Sequence, residues 1–444
     1  LAILGFSPFS LEAFKLGDGG EVAVHQVQIS QQMTWPRYIA VEKGVVTLGS
    51  LLRDLPEATT RRLLVAEKDN LLIREPIIVL PGATLLMSGA EFDQYRLGAQ
   101  SGAFIAVAGR MIVQDTEIIG YDEVKGEPAH ATDQDRSRFR PFITAWGGSN
   151  LQIAGSRFAM LGYDSSKAFG LTQSSGAAVQ SLYAVKENRP TGNLIDNSFE
   201  NLRYGYYSYE ADQVRLIGNE YRDNIIYGID PHDRSHRLLI ALNTAYGSQK
   251  KHGIIISREV DDSFIVGNVS VHNKGSGIML DRTSIRNIVY ANTAVANGGN
   301  GLTFYESGCN IAIANDLSRN KRAGVKIRNS TDVGMYDNRL QANGASGADI
   351  YVSDLRQSPE GQARNFELDP FQALATAVLS GNAFADNGDA INVAGAAQLL
   401  LEENQFLRQS NRIYGGDLKP LSPFLLRLGE TSALLTSESC DPET

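Results

Sequence analysis

Residues 227–233 read Tyr-Gly-Ile-Asp-Pro-His-Asp and bring a phenol, an imidazole and two carboxylates into one short stretch. His232 is the residue type best suited to exchange a proton near neutral pH. Asp230 or Asp233 would orient its imidazole, and Tyr227 is a second proton donor. On the next repeat, Arg258 offers a guanidinium that can neutralise a carboxylate through two parallel hydrogen bonds. This set of groups predicts proton transfer on an anionic substrate.

A repeat of 22 to 25 residues surrounds this stretch. A second register of glycines runs in parallel with it, and most of these glycines precede a short apolar segment. Such a period is typical of a solenoid, and the leucine-rich consensus and long helices of other solenoids are absent. The repeat is marked by asparagines that follow apolar segments: Asn197, Asn219, Asn243, Asn268, Asn292, Asn315, Asn338, Asn382 and Asn404.

These features predict an all-β chain folded as a right-handed parallel β-helix. The asparagines are expected to be structural, because asparagine tolerates turn conformations and stacked amides hydrogen-bond between coils. We expect an N-terminal segment and cap over 1–61, the β-helix over 62–417 and a capping tail over 418–444. The repeat is interrupted by three predicted loop insertions, which in solenoids often border the binding face, near 122–140, 176–192 and 355–374.

Strand alternation predicts which residues face outward. The first and third residues after each glycine are mostly aliphatic and are expected inside, so the second and fourth should face solvent. Strict alternation would also turn the residues at the strand ends inward, where charges are costly, so we expect the alternation to be reset there and these residues to reach solvent. They are the residues before each glycine, Tyr204, Tyr227, His252, Ser276 and Asn300, and the fifth residues after it, Glu210, Asp233, Arg258, Arg282 and Glu306. On this basis His232, Asp230 and Arg258 converge on an open groove suited to a polymer. Its predicted substrate-binding residues are Lys250, Lys251, Arg282, Tyr209, Asp281, Tyr305, Lys326 and Arg328.

Composition limits the classes of function. The chain has 444 residues and a net charge of -9, which argues against nucleic acid and requires a local basic patch if the substrate is a polyanion. Cys309 and Cys440 are expected to be unpaired. No apolar run reaches about 18 residues, so no transmembrane helix is expected. The sequence starts at Leu1 without an initiator methionine or a basic region, so we interpret this start as a mature or truncated N-terminus.

Other interpretations of the same residues remain open. Exposed tyrosines and arginines on a β-helix are usually surface, and a histidine beside an aspartate is often only a hydrogen-bonded pair. Asp230, His232, Asp233 and Asp281 could instead hold a cation. A non-catalytic polysaccharide-binding β-helix is a further possibility.

Residues 227–233 resemble, with identical spacing, the Tyr-Gly-x-Asp-Pro-His-Asp signature of the mannuronan C5-epimerases. Arg258 resembles the carboxylate-neutralising arginine of that family, and the resemblance covers residues 104 to 406. It implies polymer-level conversion of β-D-mannuronate to α-L-guluronate in alginate, without a cofactor or metal. In having a single module without appended calcium-binding repeats, the sequence is similar to the periplasmic epimerases of alginate biosynthesis. The resemblance therefore implies a periplasmic location and alginate secretion-complex proteins as partners.

The resemblance also implies roles for the candidate residues. Removal of the C5 proton adds a second negative charge beside the C6 carboxylate, and Arg258 would stabilise it. His232 is the candidate base, and Tyr227 or a water would return the proton from the other face, although the reverse order also fits the residues. The same carbanion can expel the C4 substituent, so a polyuronate lyase is the alternative activity.

Overall fold

The structure is a computed structural model that describes residues 2–5, 20–32, 37–54, 56–57, 62–175, 189–357, 362, 364–367, 369–428 and 433–436. Most of the predicted insertion at 176–192, and Cys440, lie outside these residues. The chain divides into two compact units, Leu1–Leu239 and Ile240–Thr444, called unit 1 and unit 2 below. The division falls within the strand Leu239–Ala241. Each unit is described by itself.

Unit 1 contains three sheets of short strands, paired in parallel except at two sheet ends and where Glu127–Pro128 pairs antiparallel with Glu117–Asp122. The first sheet contains, in spatial order, Ala2–Gly5, Arg37–Val41, Ile77–Val79, Ile105–Val107, Ile143–Trp146, Gly170–Ser174, Tyr204–Tyr209 and Tyr227–His232. The second contains Gly44–Thr47, Ala83–Ser88, Arg110–Gln114, Asn150–Ala154, Thr191–Ile195 and Arg215–Ile217. The third contains Leu64–Glu67, Asn70–Ile73, Gln94–Gly98, Glu117–Asp122, Arg157–Ala159, Ser198–Glu200 and Glu220–Arg222, with Glu127–Pro128 beside Glu117–Asp122.

Unit 2 repeats the same three-sheet organisation. Its first sheet contains Ile254–Ser257, Ile278–Asp281, Leu302–Tyr305, Val325–Arg328, Ser346–Tyr351, Asp389–Ala394 and Arg412–Gly416. Its second contains Phe264–Val266, Ile288–Tyr290, Ile311–Ile313, Val333–Tyr336, Ala375–Ser380, Ala397–Glu402 and the antiparallel strand Ala433–Thr436. Its third side consists of Thr244–Tyr246, Val269–Val271, Thr293–Val295, Arg339–Gln341, Ala383–Ala385 and Gln405–Leu407.

Helices are few in the described residues. They are the α-helices Gly20–Gln31, Leu48–Asp54 and Ser422–Leu428, and the 3-10 helices Asp133–Asp135, Leu355–Gln357 and Lys419–Leu421. The helix Gly20–Gln31 packs Val27 against Tyr38, Ile78 and Phe104 of the first sheet. Those strands are buried on both faces, whereas Tyr204–Tyr209 and Tyr227–His232 keep partly exposed residues.

The inward half of the predicted alternation is confirmed by burial in the strands that carry the repeat. Tyr206 and Ile229 in unit 1 are fully buried, as predicted for residues that follow the repeat glycine. In unit 2 the inward residues Ile256, Leu280 and Phe304 are equally buried. The cores therefore consist of stacked apolar side chains from successive coils, and the outward residues are left available for other contacts. The expected solvent exposure of the outward residues is wrong for Asp230, Ile255, Ser257, Asp281 and Thr303, which are buried; Ser257 is hydrogen-bonded to Asp281, and Thr303 to Ser276.

The predicted reset of alternation occurs at the C-terminal ends of these strands. Asp233 (φ +34), Arg258 (φ +61) and Arg282 (φ +36) all have a left-handed backbone, which turns the side chain away from the core. The expectation of solvent exposure is wrong for Glu306 at a C-terminal end, which is buried against Arg364, and for two residues at the N-terminal ends. Ser276 and Asn300 are buried, and both hydrogen-bond to the Thr303 hydroxyl, which satisfies their polar groups inside the protein.

The repeat asparagines form the predicted ladder between coils. Asn292, for example, accepts a hydrogen bond from the Asn268 side chain at 2.9 Å and donates to the Asn315 side chain at 3.0 Å. A second ladder, which the sequence interpretation missed, begins five residues later at Asn273 and Asn297. Both ladders satisfy buried turn groups at every coil, as a parallel β-helix requires. The fold class is thus confirmed as an all-β right-handed parallel β-helix.

Candidate functional site

The strand Tyr227–His232 carries the chemistry-bearing stretch and pairs in parallel with Tyr204–Tyr209. Tyr207 lies opposite Asp230 in this register, and Tyr209 lies opposite His232. Pro231 lies on the inward face and is buried, while Asp230 faces outward and is only 2% exposed. A carboxylate on the outer face is therefore shielded from water, which strengthens its electrostatic interactions.

His232 and Asp233 form the central contact of the site. The imidazole Nδ1 hydrogen-bonds to the Asp233 carboxylate, and both side chains are about one-fifth exposed, at 22% and 18%. A carboxylate at Nδ1 favours the tautomer with a proton on that nitrogen, which places the basic lone pair on Nε2. Of the two candidate aspartates, Asp233 therefore has the geometry of the orienting group.

An aromatic cluster surrounds this pair. The Tyr207 and His232 ring centroids are 5.8 Å apart, and the Tyr204 ring meets Tyr227 edge to face at 5.2 Å. Phe169 stacks on Tyr204 at 4.4 Å. Burial, reinforced by the Asp230 carboxylate, raises the pKa of Tyr204 and Tyr207 well above the usual value for a phenol. Both therefore remain protonated near neutral pH and can act as hydrogen-bond donors.

Tyr209 lies between two cations that the sequence interpretation missed. Arg234 donates to the Tyr209 hydroxyl at 2.8 Å and forms two hydrogen bonds to Glu210, at 2.8 and 2.7 Å. The Lys167 ammonium lies 4.8 Å from the centre of the Tyr209 ring. Arg234 directly follows the motif, so its position in the sequence could have predicted a role at the site. Lys167 lies in a loop outside the repeat, where no sequence pattern predicts such a role.

The predicted insertion at 122–140 lies beside this part of unit 1. The buried guanidinium of Arg203 forms ion pairs with Asp133 at 3.0 Å and Asp164 at 3.2 Å. The Asp164 N–H also donates to the Arg136 carbonyl at 2.6 Å. The insertion thereby anchors the loop that contains Lys167.

In unit 2, Arg258 follows the strand Ile254–Ser257 and its side chain is exposed. The backbone N–H of Arg258 donates to the backbone carbonyl of Asp281 at 3.0 Å. The Asp281 side chain, predicted to bind substrate, is buried and accepts a hydrogen bond from Ser257 at 2.7 Å. Lys250 and Lys251 are exposed in the turn before the strand. The first sheet of unit 2 therefore presents three cations near one strand.

The remaining predicted binding residues of unit 2 take part in contacts within the protein. Lys326 forms an ion pair with Asp349 at 3.0 Å, and Arg282 lies 3.5 Å from Asp281. The Arg328 guanidinium lies 4.5 Å from the centre of the Tyr305 ring. One face of Tyr305 is therefore covered by Arg328.

Part of the predicted insertion at 355–374 contacts the end of the strand Leu302–Tyr305. Arg364 forms an ion pair with Glu306 at 2.5 Å and with Asp369 at 2.9 Å. Arg282 also approaches Asp369, at 3.8 Å. Burial raises the pKa of Glu306 even though Arg364 opposes this shift. Arg364 was missed because its spacing matches no repeat position.

Three further observations concern metals, membranes and cysteines. Among the described residues no group of three or more His, Cys, Asp or Glu side chains is arranged to hold a metal ion. Within those residues, no helix has the length and apolar character to span a bilayer. Cys309 is exposed and free.

Comparison with known proteins gives strong matches. A protein of Pseudomonas aeruginosa named mannuronan C5-epimerase is 44% identical over 360 residues, which is 81% of this chain and 64% of the relative. Mannuronan C5-epimerase AlgG of Azotobacter vinelandii is 44% identical over 81% of this chain and 66% of the relative. The crystal structure of the periplasmic alginate epimerase AlgG matches with a TM-score of 0.82 at 34% identity, over 93% of either chain. The chain belongs to the mannuronan C5-epimerase family.

This epimerase-family chain also matches, over residues 164–353, a family model described as "Periplasmic copper-binding protein (NosD)". It spans 64% and 66% of the length of the two curated epimerases, so about one-third of each relative has no counterpart in the match.

Proposed function

We propose that this chain epimerises mannuronate to guluronate at C5 within an alginate polymer. The observation that carries the proposal is the contact between His232 Nδ1 and Asp233 on the strand that bears the family signature. The relatives' names support the same activity, and the aromatic cluster beside His232 offers apolar surface for a sugar ring. Alginate is therefore the proposed substrate, and the periplasm the proposed location, as in the structural relative.

In the proposed reaction, His232 Nε2 takes the C5 proton while the Asp233 carboxylate stabilises the imidazolium that forms. The electron pair moves toward the C6 carboxylate, where Arg258 balances the added charge. A proton then returns to C5 from the opposite face. Tyr227 or a water supplies it, and the high pKa of Tyr204 and Tyr207 fits them to donate hydrogen bonds.

We keep all the predicted substrate-binding residues in the proposal, but their exposure and contacts give them different roles. Lys250, Lys251 and Arg258 are exposed cations and suit a polyanion. Tyr209 would contact the polymer from unit 1. The five remaining residues each contact other protein groups. Asp281 is an internal partner of Ser257, and the other four would act at the margin of the groove: Arg282, Tyr305, Lys326 and Arg328. Partner proteins of a secretion complex stay a proposal drawn from the family.

A proton NMR time course with polymannuronate, with and without a chelator, tests the function. Growth of guluronate anomeric signals without unsaturated chain ends would support epimerisation, and an effect of the chelator would indicate a metal. Unsaturated ends would identify a lyase instead. His232→Gln should lower the rate by about 100-fold or more, because general base catalysis contributes about that factor. The control is His130→Gln, at an exposed histidine of the same unit. A His232→Gln protein of near-normal rate would refute this base.

A further inference from the structure

An open depression of about 540 Å³ lies beside the strand Tyr204–Tyr209 in unit 1. Its wall is the loop at 164–169, and its aromatic floor is formed by Phe169, Tyr207 and Tyr209. Phe169 and Tyr207 meet edge to face at 5.0 Å, so the floor is a packed surface. A floor of this kind suits the apolar face of a sugar ring.

One cation faces this depression. The Lys167 ammonium lies 4.8 Å from the centre of the Tyr209 ring, and Lys167 has no ion pair among the described residues. Neighbouring Arg234, by contrast, is paired with Glu210 through two hydrogen bonds. Among the described residues, the Lys167 ammonium contacts the Tyr209 ring face, and the Glu210 carboxylate acts on it electrostatically.

The position of Lys167 is defined by the loop that carries it. The Tyr163 N–H donates to the Ala168 carbonyl at 3.0 Å, and the Ala168 N–H donates to the Ser165 carbonyl at 3.0 Å. Arg203 holds Asp164 of the same loop at 3.2 Å. A cation on an anchored loop loses little further freedom when it binds an anion.

The depression adjoins the proposed base. Tyr207 lines it, and the Tyr207 ring centroid is 5.8 Å from that of His232. Tyr209, which contacts the Lys167 ammonium, lies opposite His232 in the pairing of neighbouring strands. A polymer that places one sugar at His232 can therefore place the next sugar beside Tyr209 and the Lys167 ammonium.

We propose that Lys167, together with Tyr209, binds the carboxylate and ring of the uronate residue next to the one that reacts. This inference rests on the proposed function, and it makes Lys167 a specificity-determining residue. Every sugar of a polyuronate carries a carboxylate, so a second cation besides Arg258 lets the site recognise a charged neighbour. A neutral neighbouring sugar would leave Lys167 without its anion and would bind more weakly.

Lys167→Met tests this assignment by removing the charge while keeping much of the side-chain length. We expect KM for polymannuronate to rise about tenfold, the loss of one charge-assisted contact, with kcat changed less than about twofold. Lys167→Arg should retain most of the affinity. The matched control is Lys68→Met, because Lys68 has a similar left-handed backbone (φ +54 against φ +62) and a 90% exposed side chain.

A second substrate separates binding from a general structural effect. Polymannuronate in which part of the carboxyl groups are reduced to alcohols should bind the wild-type protein more weakly. The discrimination should be smaller in Lys167→Met, although Arg258, Lys250 and Lys251 still bind carboxylates there. An unchanged KM, or discrimination as large in Lys167→Met as in the wild-type protein, would overturn the assignment of Lys167.

The proposed function and this inference fail in different ways. If the wild-type protein forms no guluronate, the proposed function fails, and calorimetric titration with a mannuronate oligomer still tests Lys167. Binding weakened about tenfold by Lys167→Met would support the subsite, whereas equal binding, or no binding by the wild-type protein, would overturn it.

Discussion

His232 and Asp233 are adjacent in sequence, and a regular strand would point their side chains to opposite faces. Their contact forms because the backbone at Asp233 leaves the strand conformation, at φ +34, and turns the carboxylate toward Nδ1. The pair is therefore a consequence of where the strand ends. The motif is thus able to orient the proposed base, His232, with a neighbouring residue.

Asp233→Asn is expected to lower the epimerisation rate by about 100-fold or more. A neutral amide can no longer stabilise the imidazolium by charge. Its NH2 group can also donate to Nδ1, which favours the tautomer that carries the proton on Nε2 and leaves that nitrogen without its basic lone pair. Initial rates from the NMR assay measure this effect. Asp69→Asn, at a 57% exposed side chain of the same unit, is the control. Equal rates in the two variants would remove Asp233 from the mechanism.

His252 should make stability depend on pH. Burial, with a contribution from Lys251, lowers the pKa of His252 to about 4, while its Nδ1 accepts the Ser276 N–H at 2.9 Å. The unfolded chain takes up a proton below about pH 6.5, and the folded protein does so only near pH 4. Stability should therefore fall by roughly 3 kcal/mol between these values as pH decreases.

Urea denaturation at a series of pH values measures the effect of His252. His252→Asn retains a hydrogen-bond acceptor without a titrating group, so its stability should be less dependent on pH in this window. Parallel curves for the two proteins would show that another group is responsible.

At the scale of elements, one segment contacts the first sheet of unit 2 through a buried ion pair. Arg364 and Glu306 have side chains only 10% and 5% exposed, and Arg364 also contacts Asp369. A buried charge that loses its partner is costly because it stays desolvated. The segment at 364–371 is therefore coupled to the strand Leu302–Tyr305.

Arg364→Ala should destabilise this region by roughly 3 kcal/mol or more, because Glu306 is left buried without its partner. Faster hydrogen exchange at 302–306 and 364–371 would report the loss. Arg356→Ala is a matched control, since Arg356 is exposed on the same insertion and lies 5.7 Å from the Phe371 ring. The coupling is refuted if exchange at 302–306 is the same in both variants.

At the scale of the whole molecule, a chain of net charge -9 is proposed to bind a polyanion. Local cations such as Lys167, Lys250 and Arg258 must then outweigh a repulsive background. Salt screens both effects: it weakens the repulsion from the net charge, and it also weakens the attraction of the polyanion to exposed cations such as Lys250 and Arg258. The sign of the salt dependence therefore reports which effect dominates binding.

Raising NaCl from about 0.05 to about 0.5 M should increase KM for polymannuronate several-fold, with little change in kcat, because local attraction to the carboxylates dominates. The NMR assay at fixed pH measures both constants, and the Lys167→Met protein should show a weaker salt dependence. A KM that falls with salt would mean that the net charge dominates and that the local patch is too weak.

The fold class and the position of the candidate site could be predicted from the sequence itself. The period of 22 to 25 residues predicts the β-helix, since each coil must place its asparagine and its inward aliphatic residues at the same position. The motif at 227–233 likewise predicts the candidate site, because its residue types are rare on a repeating strand. The predicted domain boundaries at 61 and 417 stay predictions.

Tertiary structure decided what no period encodes. The backbone reversal at Asp233, the Lys167 ammonium over Tyr209 and the pairing of Arg364 with Glu306 all bring together groups outside the repeat positions. The predicted solvent exposure of Ser276 and Asn300 was wrong because the Thr303 hydroxyl is a hydrogen-bond partner for both in the interior, a contact that no period encodes. Periodicity specifies which face a residue occupies. Only the folded chain specifies which side chains from loops and strand ends meet there, because those contacts depend on turns that break the repeat.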